Sequence, residues 1–174
     1  MRNLTLFILF ILLACSKDTP LPTVNTFTLS VAASEGGSVD ISGGTYNENS
    51  NVSITATPAQ GYAFSEWTGD ATGSTNPLSV SMTSDKNITA SFIRLQYSLG
   101  VNTIGSGTVS QVLVESTEKN TDYDSFSTVR LNATPSSGWI FTSWSGSSTS
   151  TVNPIDLIID KTKTITATFV ECTT

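Results

Sequence analysis

Fourteen carboxylates, eight basic side chains and no histidine set the chemistry open to this chain of 174 residues. Without histidine the commonest general base and the commonest zinc ligand are missing, and most hydrolytic constellations cannot be assembled. Glycoside hydrolysis needs only two carboxylates across a cleft, and Glu66 and Asp70 flank an aromatic stretch. Seventy-seven residues on, where the same stretch recurs, their places are taken by Ser143 and Ser147. No enzyme and no catalytic residue is therefore expected. Oxygen ligands gather at Glu115, Glu118, Asp122 and Asp124 around Tyr123. Calcium takes roughly six to eight such ligands about a turn glycine; that glycine is lacking, and a solvated hairpin tip is the preferred reading. Neither a metal nor a cofactor is expected.

Three other groups invite a chemical reading. Tyr62 and Trp139 precede a core phenylalanine at equivalent positions, and aromatic faces stack on the apolar faces of sugars. They are the candidate ligand-binding residues; the plainer reading, preferred here, is that they complete the core edge or cover a glycine turn. Thr164, Thr166 and Thr168 form a T-x-T-x-T face of the kind that binds ice, but one strand supplies a single row, and threonine suits any exposed strand. Cys172 stands near one end and Cys15 near the other. That is no disulfide framework, and Cys172 is read as a free thiol rather than an intermolecular bridge.

Residues 1–15 read MRNLTLFILFILLAC. One positive charge at Arg2 precedes an apolar run of 11 residues, Leu4 to Ala14, about half of the ~20 needed to cross a bilayer as a helix. This is the pattern of a signal-peptide core, not of a permanent span. LLAC resembles the lipobox of bacterial lipoproteins, which implies cleavage after residue 14 and acylation of the Cys15 thiol. Two or more acyl chains anchor stably, each buried methylene contributing ~0.8 kcal/mol. Ser16 is not the acidic residue that retains some lipoproteins at the inner membrane. The expectation is an outer-membrane anchor, with outward exposure as a further hypothesis. Residues 15–26, with Pro20 and Pro22, read as a semi-extended tether.

Net charge is −6, and charged residues make up only 13%; loss of Arg2 with the leader leaves the chain one unit more acidic. Such a surface has no electrostatic footprint for nucleic acid. Abundant Gly, Ser, Thr and Asn point to strands and turns.

An internal repeat decides the architecture. Residues 51–92 and 128–169 align without a gap and share 16 of 42 positions, among them Pro58 with Pro135, Phe64 with Phe141, Trp67 with Trp144, and Asn76-Pro77 with Asn153-Pro154. Upstream, FTLSVAASEGGSV from Phe27 matches YSLGVNTIGSGTV from Tyr97 at an offset of 70. The second copy thus carries an insertion of seven residues within 110–127. The units run from 27 to 93 and from 96 to 170, and so short a link predicts a restricted angle between them. Inside each unit apolar residues alternate: Phe27, Leu29, Val31, Ala33; Val52, Ile54, Ala56; Ile88, Ala90, Phe92, with the same pattern in copy two. These are half-buried strands, with turns at Gly36-Gly37, Gly43-Gly44, Ser106-Gly107 and the Asn-Pro pairs. Little or no helix is expected. An immunoglobulin sandwich, at about 100 residues, does not fit, and Trp67 and Trp144 are the expected core plugs.

The succession ATP, then GYAFSEWTG or GWIFTSWSG, then NP, then KNITASF or KTITATF, resembles the divergent internalin B-type repeats of bacterial surface proteins and lipoproteins. It covers nearly all of the chain after the leader. The resemblance implies an all-β chain of two tandem β-grasp-like modules of four to six strands each. It also implies a non-enzymatic, lipid-anchored envelope protein in an adhesive, binding or spacer role. A carbohydrate-binding surface lipoprotein is the alternative. The implied partners are the membrane, through the anchor, and a glycan or protein ligand at the cell surface.

Overall fold

The computed structural model describes residues 23–114 and 122–173. The leader, Cys15, the tether up to residue 22, and Glu115 and Glu118 lie outside the described residues. The first repeat comprises β1 (Thr26–Ala33), β2 (Gly37–Val39), β3 (Gly43–Asn47), β4 (Asn51–Ile54), β5 (Ala56–Pro58), β6 (Tyr62–Gly69), β7 (Leu78–Ser81) and β8 (Lys86–Arg94). The second comprises β9 (Gln96–Tyr97), β10 (Leu99–Ile104), β11 (Gly107–Leu113), β12 (Tyr123–Asp124), β13 (Ser127–Pro135), β14 (Trp139–Gly146), β15 (Ile155–Ile159) and β16 (Lys163–Glu171). The described residues contain no helix. Both repeats are all-β, as the alternation predicts, although the four to six strands expected of each are divided into more, shorter segments.

In each repeat the first long strand lies beside the last and parallel to it. One sheet has the order β3-β1-β8-β6, its counterpart β10-β16-β14. Leu29 to Ala33 run alongside Lys86 to Ala90, and Leu99 to Ile104 alongside Lys163 to Thr168, both parallel. The other neighbours are antiparallel. Across the core in the second repeat lies the sheet β11-β13-β15. Its equivalent in the first is split into the pairs β2-β5 and β4-β7. At the division β2 ends and the chain leaves to pair as β3 with β1, and the Asp40 carboxylate accepts from the backbone N of Thr55 at 2.8 Å, between β4 and β5.

Each repeat closes over its own core. Val52, Ile54 and Ala56 are buried, as are Val129, Leu131 and Ala133, Ile88 and Ala90, and Ile165 and Ala167. Trp67 and Trp144 are both 0% exposed. A buried indole must still satisfy its N–H; Trp67 Nε1 donates to Thr75 O at 3.0 Å and Trp144 Nε1 to Val152 O at 3.1 Å. Phe64 packs on Trp67 with ring centroids 5.2 Å apart, and Phe141 on Trp144 at the same distance.

Phe64 and Trp67 are three residues apart, an odd spacing that in a regular strand sends side chains to opposite faces. The register shifts between Phe64 and Glu66, and again between Phe141 and Ser143. This extra residue is a bulge, and it returns both aromatics of each pair to the core. Two details depart from simple alternation. Ala33 is exposed, at the end of β1 where the turn begins. Thr166 and Thr168 are half-buried, since β16 is the middle strand of its sheet and carries neighbours on both sides.

Candidate functional site

The chain's most specific arrangement of polar groups lies where the two repeats meet. Only Leu95 separates β8 from β9. Ser125, 1% exposed, uses every polar atom there. Its N donates to Leu95 O at 2.8 Å, its Oγ donates to Gly61 O at 2.7 Å, and its carbonyl accepts from Arg94 Nη2 at 3.0 Å. Gly61 O also accepts from Leu95 N at 2.8 Å. Arg94 reaches Asp124 at 3.6 Å, and Asp124 accepts from Gln96 Nε2 at 3.0 Å. Hydrogen bonds from the first repeat and the link thus converge on a single turn of the second.

Gly61 belongs there for two reasons. Its φ of +83° is a left-handed conformation that side chains disfavour. A Cβ on it would also stand 2.5 Å from Ser125 Oγ and 2.9 Å from the ring of Phe126. Phe126 is itself left-handed, at φ 63°, which for a bulky side chain costs about 1 to 3 kcal/mol and persists only where surroundings enforce it. Its N donates to Ile159 O at 2.7 Å. The equivalent residue of the first repeat, Asn49, has φ 64° and donates to Met82 O, but asparagine tolerates that conformation readily. Conversely, Gly138, the equivalent of Gly61, has φ +81° with nothing within 4 Å of its Cβ position. The contact is therefore made once, between repeats, and not within each.

A second device escapes a reading of the Asn-Pro pairs as turns alone. Asn76 Nδ2 donates to Ala56 O at 2.8 Å while its Oδ1 accepts from Ala56 N at 3.0 Å. Asn153 does the same to Ala133, at 2.7 and 2.9 Å. Each side-chain amide stands in for a neighbouring strand, satisfying both backbone polar groups of one residue. Both Asn-Pro bonds are cis.

The residues singled out for chemistry fall as follows. Tyr62 and Trp139 are half-buried at the starts of β6 and β14, on separate repeats. The Tyr62 ring lies against Gly36, and Trp139 Cζ3 is 2.7 Å from a Cβ position on Gly105. Glu66 is exposed. Asp70, just past the end of β6, accepts from Asn87 N in β8 at 2.7 Å, and Ser147 Oγ accepts from Thr164 N at 3.0 Å in the same place. The replacement of Asp70 by Ser147 is thus structurally conservative. Tyr123 donates to Gln111 Oε1 at 3.0 Å, and burial pushes its phenol up. Cys172 is exposed, with no disulfide.

Residues 27–96 and 97–172 each match the family described as the divergent InlB B-repeat domain. The chain belongs to that family. The chain is thus a tandem bacterial repeat protein. No curated protein and no solved structure matches the chain. The boundary between the two InlB B-repeats falls after Gln96, one residue beyond the Leu95 that ties Gly61 to Ser125. Sequence reasoning missed Ser125 and Phe126, although carrying the offset of 77 upstream sets a phenylalanine against Asn49, an unusual residue for such a turn.

Proposed function

We propose that this is a non-enzymatic lipoprotein of the cell envelope, held by acyl chains on Cys15, whose two InlB B-repeats form a stiff spacer or binding element projecting from an outer-membrane surface. The observation that supports the spacer reading best is the joint. Tandem modules joined by a loose link reorient freely, whereas here the three polar atoms of Ser125 are engaged by Gly61, Arg94 and Leu95. The lipid anchor rests on LLAC at residues 12–15 and the proline-containing tether behind it. Labelled palmitate supplied to cells making the full chain tests the anchor. Incorporation and partition with membranes are expected, and both are lost in Cys15→Ser; an unlabelled, soluble wild type overturns it. Protease treatment of intact cells then reports outward exposure by digestion of the repeats.

A further inference from the structure

The outward face of the β11-β13-β15 sheet departs from its counterpart in the first repeat. There β4 and β7 place Asn51, Ser53, Ser79 and Ser81 toward solvent. The equivalent positions of the second repeat hold Thr128, Arg130, Asp156 and Ile158, and β11 with the residue after it adds Val112 and Val114. Val112 stands beside Arg130, and Arg130 beside Asp156, to which it donates two hydrogen bonds of 2.7 and 2.8 Å. In the next row Val114 N donates to Thr128 O at 2.9 Å, and Thr128 stands beside Ile158. Val112, Val114 and Ile158 are 58%, 47% and 54% exposed. The first repeat builds the same layer with serine and asparagine at the equivalent places, so packing within the repeat does not call for aliphatic side chains there.

We propose that this face is where two copies of the chain associate about a two-fold axis. Charge selects the occupant. A chain of net charge −6 repels its own copy over most of its surface, but among the described residues this face carries one guanidinium, Arg130, beside one carboxylate, Asp156, a pair without net charge. An arrangement of adjacent opposite charges is also self-complementary across a two-fold axis. An axis parallel to the strands and midway between β13 and β15 sets Arg130 of each copy over Asp156 of the other. It sets Ile158 over Thr128, while Val112 and Val114 close the flank beyond the free edge of β15. The aliphatic side chains supply apolar area to be removed from water, and the paired charges fix the register.

Sedimentation equilibrium of the full chain in density-matched detergent tests this. A reversible monomer–dimer equilibrium is expected. Ile158→Ser, which installs the residue the first repeat carries at that place, should raise the dissociation constant by about a hundredfold, since one isoleucine is lost from each copy. Arg130→Asp should abolish the dimer, and Arg130→Asp with Asp156→Arg should restore it. Ser81→Ile, on the equivalent face of the first repeat, should leave the constant unchanged. A wild type that stays monomeric, an Ile158→Ser variant that dimerises as before, or a Ser81→Ile variant that associates more tightly each overturns the proposal. The emission of the buried indoles reports folding; should Ile158→Ser lose it, Val112→Ser is measured against the same criteria.

Discussion

The hydroxyl of Ser125, in the second repeat, donates to the carbonyl of Gly61, in the first, at 2.7 Å. With Phe126 beside it, this contact couples two cores that are otherwise separate. A tandem array is stabilised by the intrinsic terms of its repeats and by the interfaces between neighbours, so the joint decides whether the repeats unfold together. Calorimetry of the wild type is expected to show one transition. Gly61→Ala should divide it in two, because the new methyl group collides with Ser125 and Phe126 and also adopts an unfavourable φ. Gly138→Ala is the control: it shares the φ and lacks the collision, so the single transition should persist at a slightly lower temperature. One transition in both variants means that the joint does not couple the repeats.

Trp144→Ala should cost about 3 to 5 kcal/mol, the range for truncating a buried tryptophan. Set against a total stability of ~5 to 15 kcal/mol for an ordinary domain, the loss removes a large share of the second repeat's stability and, at the low end of that range, unfolds it. Trp67→Ala should do the same to the first. Urea titration followed by far-ultraviolet circular dichroism measures both; an unchanged midpoint contradicts the packing of Phe141 against the buried indole.

Asn153→Leu preserves bulk but removes both hydrogen bonds to Ala133, leaving a peptide N–H and C=O without partners in a largely buried place. An unsatisfied buried group costs about 1 to 3 kcal/mol, so a loss of about 2 to 6 kcal/mol is expected for the two together. Asn153→Asp keeps the acceptor and loses the donor, and should fall between. Asn76 is expected to behave alike, and equal midpoints for all three proteins would contradict the bridging role.

The alternating faces, the two copies and the tryptophan plugs could all be seen in the sequence, because they follow from a period of two and from pairs such as Trp67 and Trp144 at a constant offset. The bulge could not, since Phe64 and Trp67 at an odd spacing give no sign of which face yields. Nor could the joint: Ser125 and Phe126 are distant in sequence from Gly61, and a serine in a turn reads as solvated until its partners are known. The asparagine amides were hidden by a correct but incomplete reading of Asn-Pro as punctuation.

Acid should destabilise the fold through three aspartates. Hydrogen bonds from Thr55 N hold the Asp40 carboxyl below its usual range, and Arg130 does so for Asp156 and Lys163 for Asp160. A depressed folded-state value means that the stabilisation is complete above the ordinary aspartate value, about 3.9, and is lost as pH falls through and below it. The midpoint of thermal unfolding should therefore be level near neutrality and drop below about pH 4. Asp40→Asn should flatten part of that drop; an identical acid limb in the variant removes Asp40 from the account.

The parallel contact between the first and last long strands has a mechanical consequence. Tension applied between the two ends of a repeat pulls β1 and β8, or β10 and β16, past each other along their length. Their ladder of hydrogen bonds is then loaded in shear, all rungs together, rather than peeled open one rung at a time. A repeat drawn at its ends resists as a latch, and its rupture requires the whole ladder from Leu99 to Ile104 to give way in a single event.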